Sequence, residues 1–370
     1  MRSNWLTAAI ISVAVLLGDG EVVAQNDSVH VKAYAAMNAD GRQVPYEYNR
    51  RAMGDDDVLT EILYCGICHS DVHEAFNDWN YTVYPDVSGY EMVGRVVKAG
   101  KNVTRFRKGD YIGIGAVQSA CMKCQQCKAG NEQYCTHENG EGMPEFPDTR
   151  GFSDKIVVNE HFGITIPKNA PIEKLGPLMC AGITVYSPLK AAHLKKGDKV
   201  AIAGFGGLGH LAVMYAKAFG ADVTVFDRTE EKRELAKELG AVDYVNVNDS
   251  VLMNNHQGYF DYVLSAIPTH YDPIQYMNML KVGGGFLLVG LPATTEAPVI
   301  NINTIPFGIR IYKSLMGGIA ETQEVMDFSI SHNIYPMVEV IPVTEINEAF
   351  LKVKEGKVHF RYVVDMKTLK

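Results

Sequence analysis

Four cysteines lie within fifteen residues and are separated by two, two and seven residues: Cys121, Cys124, Cys127 and Cys135. Four thiolates at about 2.3 Å can enclose Zn²⁺ tetrahedrally, and a gap of two residues lets neighbouring thiolates reach one ion. A closed set leaves no position for a substrate, so the spacing predicts a structural zinc that pins a polar loop. Disulfides or unpaired thiols are the alternative, although disulfide frameworks belong mainly to small secreted domains.

A second concentration of reactive side chains lies in residues 65–73, which read Cys-Gly-Ile-Cys-His-Ser-Asp-Val-His. Thiols, a hydroxyl, a carboxyl and two imidazoles are costly to bury without a function. Two further segments with candidate ligands follow, Gly89-Tyr90-Glu91 and Cys180-Ala-Gly-Ile-Thr184. These three segments carry the candidate catalytic residues.

A glycine-rich turn follows a predicted strand at 199–203 and leads into a predicted helix at 211–219. Its residues are Gly204, Gly206, Gly207, Leu208 and Gly209. Glycines in this pattern permit a tight turn, close approach to a pyrophosphate and close helix–strand packing, and the helix N-terminus favours negative charge. The motif therefore predicts a dinucleotide site, with an ordinary glycine turn as the alternative.

The choice of dinucleotide depends on the residues that follow the next predicted strand. Asp227 ends that strand eighteen residues after Gly209, where a carboxylate accepts hydrogen bonds from the ribose hydroxyls of NAD and repels a 2′-phosphate. Arg228 and Arg233 come next, and either could pair with a 2′-phosphate. The sequence predicts NAD(H) or NADP(H), and Asp227 favours NAD(H).

Strands and helices alternate from residue 199 onward, which is typical of βαβ units and a parallel sheet. Further strands are predicted at 260–266, 285–289 and 311–316. We expect a doubly wound α/β sheet that binds its ligand at the carboxyl ends of the strands.

Composition narrows the class of protein. The chain has 370 residues, of which 47% are hydrophobic, enough for a large core and about two domains. Its net charge of −8 and the lack of a basic run argue against nucleic-acid binding. After the N-terminus, no apolar stretch is long enough to span a membrane.

The first 24 residues predict a possible signal peptide. Arg2 precedes an apolar run at 5–17, and small residues at 22–24 offer a cleavage site. An upstream extension of the reading frame, with the functional protein starting near Val31, is the alternative. Seven cysteines with a zinc–thiolate cluster suit a reducing compartment. The chemistry therefore favours the cytoplasm, whereas the signal-like segment favours export.

With these motifs in this order and spacing, the chain resembles the zinc-dependent medium-chain alcohol dehydrogenases, and among them the cinnamyl-alcohol-dehydrogenase-like branch. The resemblance implies a β-rich GroES-like catalytic domain at 28–180 with a structural-zinc lobe, completed by 319–370. A dinucleotide-binding Rossmann domain would occupy 181–318, with the active site in the cleft between the domains. A homodimer through the edge strands of the cofactor domains is also implied.

The resemblance further assigns roles within the catalytic segments. Ser70 and His73 would form a proton relay, and Asp71 would orient the third zinc ligand. His69 would face the cofactor pyrophosphate, and Thr184 would pack beside the nicotinamide.

Position 90 departs from the family pattern. The resemblance implies Cys68 and Cys180 as ligands of a catalytic zinc, with Glu91 able to approach the metal. The family carries histidine as a ligand where this chain has Tyr90, and a neutral phenol with a pKa near 10 is a poor zinc ligand. The zinc would rest on Cys68, Cys180 and Glu91, with a tyrosinate as a further ligand, or it would be absent.

Three functions follow from these alternatives. With zinc, the resemblance implies an NAD(P)(H)-dependent alcohol dehydrogenase or aldehyde reductase that acts on a primary alcohol or aldehyde. With weakened or lost zinc, conjugated enals or iminiums become the expected substrates. A nucleotide-binding redox sensor without turnover is the alternative from another class.

Overall fold

The computed structural model describes residues 28–136 and 150–370. The predicted signal peptide at 1–24 lies outside these residues. Across the two described ranges, every helix is too short or too polar to cross a bilayer.

The N-terminal part of the chain is rich in antiparallel strands. These are β1 (Ser28–Ala36), β2 (Gln43–Ala52), β3 (Asp57–Gly66), β4 (Glu91–Ala99), β5 (Tyr111–Ile114), β6 (Lys155–Asn159) and β7 (Gly163–Ile166). Strand β1 pairs with β2, while β3, β4, β5 and β7 follow one another in a larger sheet and β6 also pairs with β3. Glu91 opens β4 directly after the Gly-Tyr-Glu segment, so this sheet fixes one of the candidate ligands.

The middle of the chain forms a parallel sheet. Its strands are β8 (Lys199–Ala203), β9 (Asp222–Asp227), β10 (Asp243–Asn246), β11 (Phe260–Ser265), β12 (Leu280–Leu288) and β13 (Arg310–Lys313). The order is β10-β9-β8-β11-β12-β13, the doubly wound arrangement that the sequence predicts. The last strand ends at Lys313, three residues earlier than predicted, because residues 314–318 leave the sheet.

The C-terminal strands return to the first sheet. They are β14 (Val338–Pro342) and β15 (Arg361–Asp365), and β15 pairs antiparallel with β3. The combined sheet has the order β14-β15-β3-β4-β5-β7. The fold class is thus confirmed as α/β with a β-rich part, while the domain boundaries at 180 and 318 stay a prediction.

The described helices connect and cover these sheets. They are α1 (His69–Ala75), α2 (Gln125–Lys128), α3 (Ala181–Ala191), α4 (Gly209–Ala218), α5 (Arg233–Leu239), α6 (Ser250–Asn254), α7 (Pro273–Met277), α8 (Ile319–His332) and α9 (Ile346–Lys354). A continuous buried core extends from the first sheet across α3 and α4 to the parallel sheet. Strand β8 is an almost unbroken buried apolar run, as expected for a parallel sheet that is covered on both faces.

Candidate functional site

The four cysteines at 121–135 converge on one point. Their sulfur atoms all lie within 4.8 Å of one another, with Cys127 Sγ 3.9 Å from Cys121 Sγ and 3.5 Å from Cys124 Sγ. Two sulfurs bound at about 2.3 Å with a tetrahedral angle lie roughly 3.8 Å apart, so the set fits one zinc ion. All four are free thiols, which leaves the disulfide alternative without support.

Backbone amides prepare these sulfurs to bind a cation. Cys124 N–H donates to Cys121 Sγ at 3.3 Å, and Cys127 N–H donates to Cys124 Sγ at 3.4 Å. Hydrogen bonds from the backbone, chiefly that of Cys127, lower the pKa of Cys124 to about 5. A thiolate is the form that binds a metal, so these amides favour binding at Cys124, whereas burial raises the pKa of Cys127.

The lobe around these cysteines contacts the start of α8. Glu132 is buried, and its Oε2 accepts a hydrogen bond from Ile319 N–H at 3.1 Å. Tyr134 Oη accepts from Leu315 N–H at 3.4 Å. The lobe therefore holds the segment that joins the parallel sheet to α8.

A second convergence brings together the candidate ligands of the catalytic zinc. Cys68 precedes α1, Glu91 opens β4 and Cys180 precedes α3, yet their ligand atoms lie within 4.8 Å of one another. Cys68 Sγ and Cys180 Sγ are 3.9 Å apart, close to the separation expected for two sulfurs on one zinc. All three residues are buried.

Glu91 has one oxygen occupied and one free. Oε1 accepts a hydrogen bond from Arg361 Nη2, whereas Oε2 is buried without a partner among the described residues. Burial raises the pKa of Glu91 to about 7. An unpartnered buried acceptor beside two thiols suits a bound cation, so these residues fit a zinc ion. Sequence reasoning missed Arg361, which β15 places here only through its pairing with β3.

Tyr90 is half-buried and directly precedes β4. Burial, and then the nearby Cys68, raise the pKa of Tyr90 well above its usual value.

Asp71 organises backbone instead of a ligand side chain. Its Oδ2 accepts from Cys68 N–H at 2.6 Å and its Oδ1 accepts from Gly89 N–H at 2.8 Å. The resemblance implied contact with the side chain of the third zinc ligand, whereas both carboxylate oxygens of Asp71 accept from backbone amides. Asp71 thus links the loop that carries Cys68 to the turn that carries Tyr90 and Glu91.

The proposed proton relay residues lie along α1. Ser70 Oγ is 3.9 Å from Cys68 Sγ, and the His69 ring lies 4.7 Å from the His73 ring. His73 Nδ1 is 2.8 Å from Asp78 Oδ2, while His73 Nε2 is buried without a partner in the described ranges. Sequence reasoning missed Asp78, which lies only five residues further along in a loop without a recognisable pattern. Ser70 and His73 are not directly bonded in the described structure.

His69 and Trp79 lie next to His73. Burial, and then His73, lower the pKa of His69 to about 4, so its ring is neutral near pH 7. Trp79 lies 5.0 Å from His73 between ring centroids, and its Nε1–H donates to Pro292 O at 3.1 Å. Trp79 therefore joins the α1 side of the site to the loop after β12.

The glycine-rich turn has the geometry expected of a phosphate site. Gly204 has a φ of +91°, and a Cβ on Gly209 would lie 1.9 Å from Gly204 O. A Cβ on Gly206 would meet no described atom within 4 Å, so this backbone is open to a ligand. A Cβ on Gly207 would lie 2.8 Å from Arg361 Nη1, which brings the turn close to the Glu91 side of the site.

The remaining predicted cofactor residues lie around this turn. Leu208 is half-buried at the start of α4, and Thr184 is nearly buried on α3. Asp227 ends β9 with Lys232 Nζ 3.9 Å from its Oδ2, and Lys232 also donates to Phe205 O at 3.2 Å. Arg228 is exposed beside them. Sequence reasoning missed Lys232.

Arg233, the second arginine that could meet a 2′-phosphate, is engaged elsewhere. Its guanidinium bonds to Glu230 at 2.7 Å and to Tyr244 O at 2.5 Å. Arg228 is therefore the exposed arginine beside Asp227 and Lys232.

His210 ties the glycine turn to the C-terminal part of the first sheet. It is fully buried, with Nδ1 3.0 Å from Gly206 O, and Nε2 accepts from Met337 N–H at 3.2 Å. Burial lowers the pKa of His210 to about 3. These contacts fix a neutral ring that donates through Nδ1.

The free energy of unfolding should fall as the pH drops below about 6.5. The unfolded chain protonates His210 near pH 6.5, but the folded chain does so only near pH 3. The stabilisation is complete above pH 6.5 and is lost by about 1.4 kcal/mol per pH unit as the pH falls towards 3. Urea unfolding at pH 7.5 and 5.5 should show a loss of stability that is about 1.4 kcal/mol larger in the natural protein than in His210→Gln. Parallel pH dependences would contradict the prediction.

Comparisons with known proteins agree with this arrangement. A family model for the alcohol dehydrogenase GroES-like domain matches residues 54–168, and one for a zinc-binding dehydrogenase matches residues 207–331. The chain is 40% identical to aldehyde reductase YahK of Escherichia coli (strain K12), over 92% of this chain and 99% of that protein. It is 39% identical to NADP-dependent alcohol dehydrogenase C 1 of Mycolicibacterium smegmatis, over 92% and 99% respectively.

Solved structures give the same result. The crystal structure of CAD from Helicobacter pylori in complex with NADP(H) has 41% sequence identity and a TM-score of 0.85, over 93% of this chain and all of that one. A cinnamyl alcohol dehydrogenase of Sorghum bicolor has 33% identity and a TM-score of 0.86, over 92% of this chain and 99% of that one.

Proposed function

Because the chain belongs to the zinc-dependent medium-chain alcohol dehydrogenase family, and within it to the cinnamyl-alcohol-dehydrogenase-like branch, we propose that it is an NAD(P)(H)-dependent alcohol dehydrogenase and aldehyde reductase. Its substrates would be a primary alcohol or the corresponding aldehyde. The observation that supports this most directly is the convergence of Cys68, Cys180 and Glu91 beside the glycine turn.

Two bound groups would supply the chemistry that side chains lack. When bound, zinc polarises the substrate oxygen and the nicotinamide carries the hydride. Cys68, Cys180 and Glu91 would hold the catalytic zinc, and the four cysteines of the lobe would hold the structural one. The glycine turn, Asp227, Arg228, His69 and Thr184 would hold the dinucleotide.

The residues of α1 would handle the proton. Ser70 Oγ lies 3.9 Å from Cys68 Sγ, and a substrate oxygen beside it would gain or lose its proton there. His73 would accept or return that proton at Nε2, since Asp78 occupies the opposite ring nitrogen at 2.8 Å. An intervening water or hydroxyl would bridge Ser70 and His73. Asp71 would hold α1 at a fixed position relative to the turn that carries Glu91.

The test is turnover of NADH and NADPH with a panel of saturated aldehydes and conjugated enals, together with oxidation of the matching alcohols. We expect reduction at the carbonyl carbon of saturated aldehydes. Reduction confined to the far carbon of enals would favour the zinc-poor alternative instead. Nucleotide binding without turnover on any substrate would favour the sensor.

We further propose that the chain prefers NAD(H), in contrast to the two relatives named for NADP. Replacing Asp227 by serine should raise kcat/KM for NADPH by roughly 100-fold, because the variant removes a carboxylate that repels a 2′-phosphate and leaves Lys232 free to pair with it. Initial rates with each coenzyme at one fixed aldehyde concentration measure the effect.

Glu231→Ser is the matched control for this prediction. It removes the same charge four residues away from an exposed position, so the ratio of the two coenzyme efficiencies should stay unchanged. A natural protein that already prefers NADPH over NADH would overturn the proposed preference.

The assembly and the compartment are also proposals. Strand β13 is exposed along its length, with Ile311 46% and Tyr312 40% accessible, and Phe307 beside it is 96% accessible. These side chains support a homodimer through this edge, which sedimentation of the purified protein would test. We propose the cytoplasm as the compartment because seven free cysteines suit reducing conditions.

A further inference from the structure

A loop of the parallel sheet contacts the residues that lie beside the proposed proton acceptor. This loop follows β12 and comprises residues 290–294, and it is called the β12 loop below. The backbone N–H of Thr294 donates to Asp78 O at 3.2 Å. The indole N–H of Trp79 donates to Pro292 O at 3.1 Å. Because Asp78 and Trp79 are adjacent in sequence, two hydrogen bonds join the loop to one short segment after α1.

That segment contacts His73 directly. Asp78 Oδ2 lies 2.8 Å from His73 Nδ1, and the Trp79 ring lies 5.0 Å from the His73 ring between centroids. The His73 side chain is only 5% exposed, so these two neighbours help to fix the orientation of its ring. An imidazole that is held at Nδ1 keeps Nε2 for the proton.

The backbone around Asp78 and Trp79 has an uncommon conformation. Asn77 has a φ of +54° and Asn80 a φ of +62°, so left-handed residues flank the segment on both sides. Such residues cost free energy, and they persist where surrounding contacts determine the conformation. The two hydrogen bonds from the β12 loop are contacts of this kind.

The β12 loop is itself fixed to the sheet. The N–H groups of Val289 and Gly290 both donate to Ser265 O at 3.0 Å. A Cβ on Gly290 would lie 2.2 Å from Ile267 O, so the loop packs directly against the residues that follow β11. A Cβ on Gly204 would lie 3.3 Å from Ile267 Cγ1, so the glycine turn packs against the same residues. The loop therefore belongs to the edge at which a doubly wound sheet binds its ligand.

Taking the proposed oxidoreductase function and the proton role of His73 as its basis, we infer that Trp79 and Thr294 are positioning residues for proton transfer. Through them the β12 loop holds Asp78, and Asp78 holds the His73 ring. The sheet edge that would bind the dinucleotide thus also determines where the proton acceptor lies. Both partners of the reaction are then held by one rigid element.

Thr294→Pro tests this inference from the side of the loop. Thr294 follows Ala293, whose φ of −53° and ψ of 151° suit a residue before proline, and it begins a 3₁₀ turn. The backbone therefore accepts the substitution, which removes the N–H that donates to Asp78 O. Thr294→Ala is the matched control, because it removes the same exposed side chain and keeps the N–H.

The single-turnover rate of aldehyde reduction should fall about tenfold in Thr294→Pro, because a displacement of about 1 Å can cost about 100-fold. The dissociation constant of NADH and the KM of the aldehyde should change by less than about threefold, because neither ligand loses a contact. The solvent deuterium isotope effect on this rate should increase, since proton transfer becomes slower. Thr294→Ala should match the natural protein in every measurement.

Trp79→Phe tests the second hydrogen bond. It keeps an aromatic ring and removes the donor to Pro292 O, so its rate and isotope effect should change as in Thr294→Pro. Equal rates in Thr294→Pro and Thr294→Ala, or a loss of NADH affinity as large as the loss of rate, would overturn the inference.

The contact can also be followed without turnover. The chain has two tryptophans, and Trp5 lies outside the described residues. In a Trp5→Phe background, the emission of Trp79 should move to longer wavelength in Thr294→Pro and stay unchanged in Thr294→Ala, because water reaches the freed indole N–H. Identical emission in both variants would contradict the inference. A natural protein without aldehyde turnover would refute the proposed function, and the emission of Trp79 would still decide whether the β12 loop holds this segment.

Discussion

Replacing Cys124 by alanine is expected to remove one zinc per subunit and to unfold the lobe at 121–135. The lobe is polar, with exposed polar residues at 123, 125 and 128, so it has few apolar side chains with which to hold itself folded. Structural zinc contributes about 10–16 kcal/mol in small zinc-binding peptides near pH 7. Metal analysis and limited proteolysis of the lobe should report the loss together.

The effect should extend beyond the lobe. Glu132 and Tyr134 contact Ile319 and Leu315, which join the cofactor sheet to α8. An unfolded lobe frees this junction, so we expect dinucleotide affinity to fall by about tenfold along with the thermal unfolding midpoint.

The matched control for this prediction is Cys65→Ala. Cys65 is a fully buried free thiol that belongs to neither ligand group, so its loss removes a cysteine without removing a ligand. That variant should keep both metals, although the small cavity it leaves lowers stability. A Cys124→Ala protein that retained its zinc, or that resisted proteolysis as well as the control, would contradict the structural role of the metal.

The parts of the site that could be predicted from the sequence are those whose residues lie close together along the chain. Cys121 and Cys124 belong to one loop, and the glycine turn belongs to one βα unit. Each motif can therefore be recognised from about ten consecutive residues. The same holds for the parallel sheet, because its buried strands are continuous apolar runs. The predicted strand at 311–316 is too long, since Leu315 and Met316 continue the apolar pattern although the chain leaves the sheet after Lys313.

The parts that sequence could not predict depend on long-range pairing. Arg361 reaches Glu91 only because β15 returns beside β3, and no local pattern distinguishes this arginine from a surface one. Lys232 and Asp78 are near their partners in sequence but lie in loops. In a loop, the spacing between two residues does not determine whether their side chains point towards each other. The resemblance assigns Asp71 to a side-chain partner, whereas its carboxylate accepts from the backbone amides of Cys68 and Gly89, a choice that no spacing in the sequence indicates.

The second large effect is expected from Cys180→Ala, which removes one of the two sulfurs at the candidate catalytic centre. Glu91 and Cys68 alone would leave two protein ligands, too few to hold zinc at ordinary free concentrations. Zinc content should fall from two to one per subunit, and kcat/KM for a saturated aldehyde should fall by about 10³-fold or more. Polarisation of the carbonyl contributes several kcal/mol, and about 1.4 kcal/mol corresponds to a factor of ten.

Two measurements make this loss specific to the metal. Dinucleotide affinity, followed by quenching of protein fluorescence, should change by less than a factor of a few, because the glycine turn and Asp227 lie outside the thiol pair. Reduction of a conjugated enal should fall as steeply as that of the saturated aldehyde if both need the same metal. If enal reduction survives in Cys180→Ala while the saturated aldehyde is no longer reduced, the chain works as a reductase that needs no metal for its main reaction. Cys68, Glu91 and Arg361 would then form a buried polar cluster that only positions the substrate.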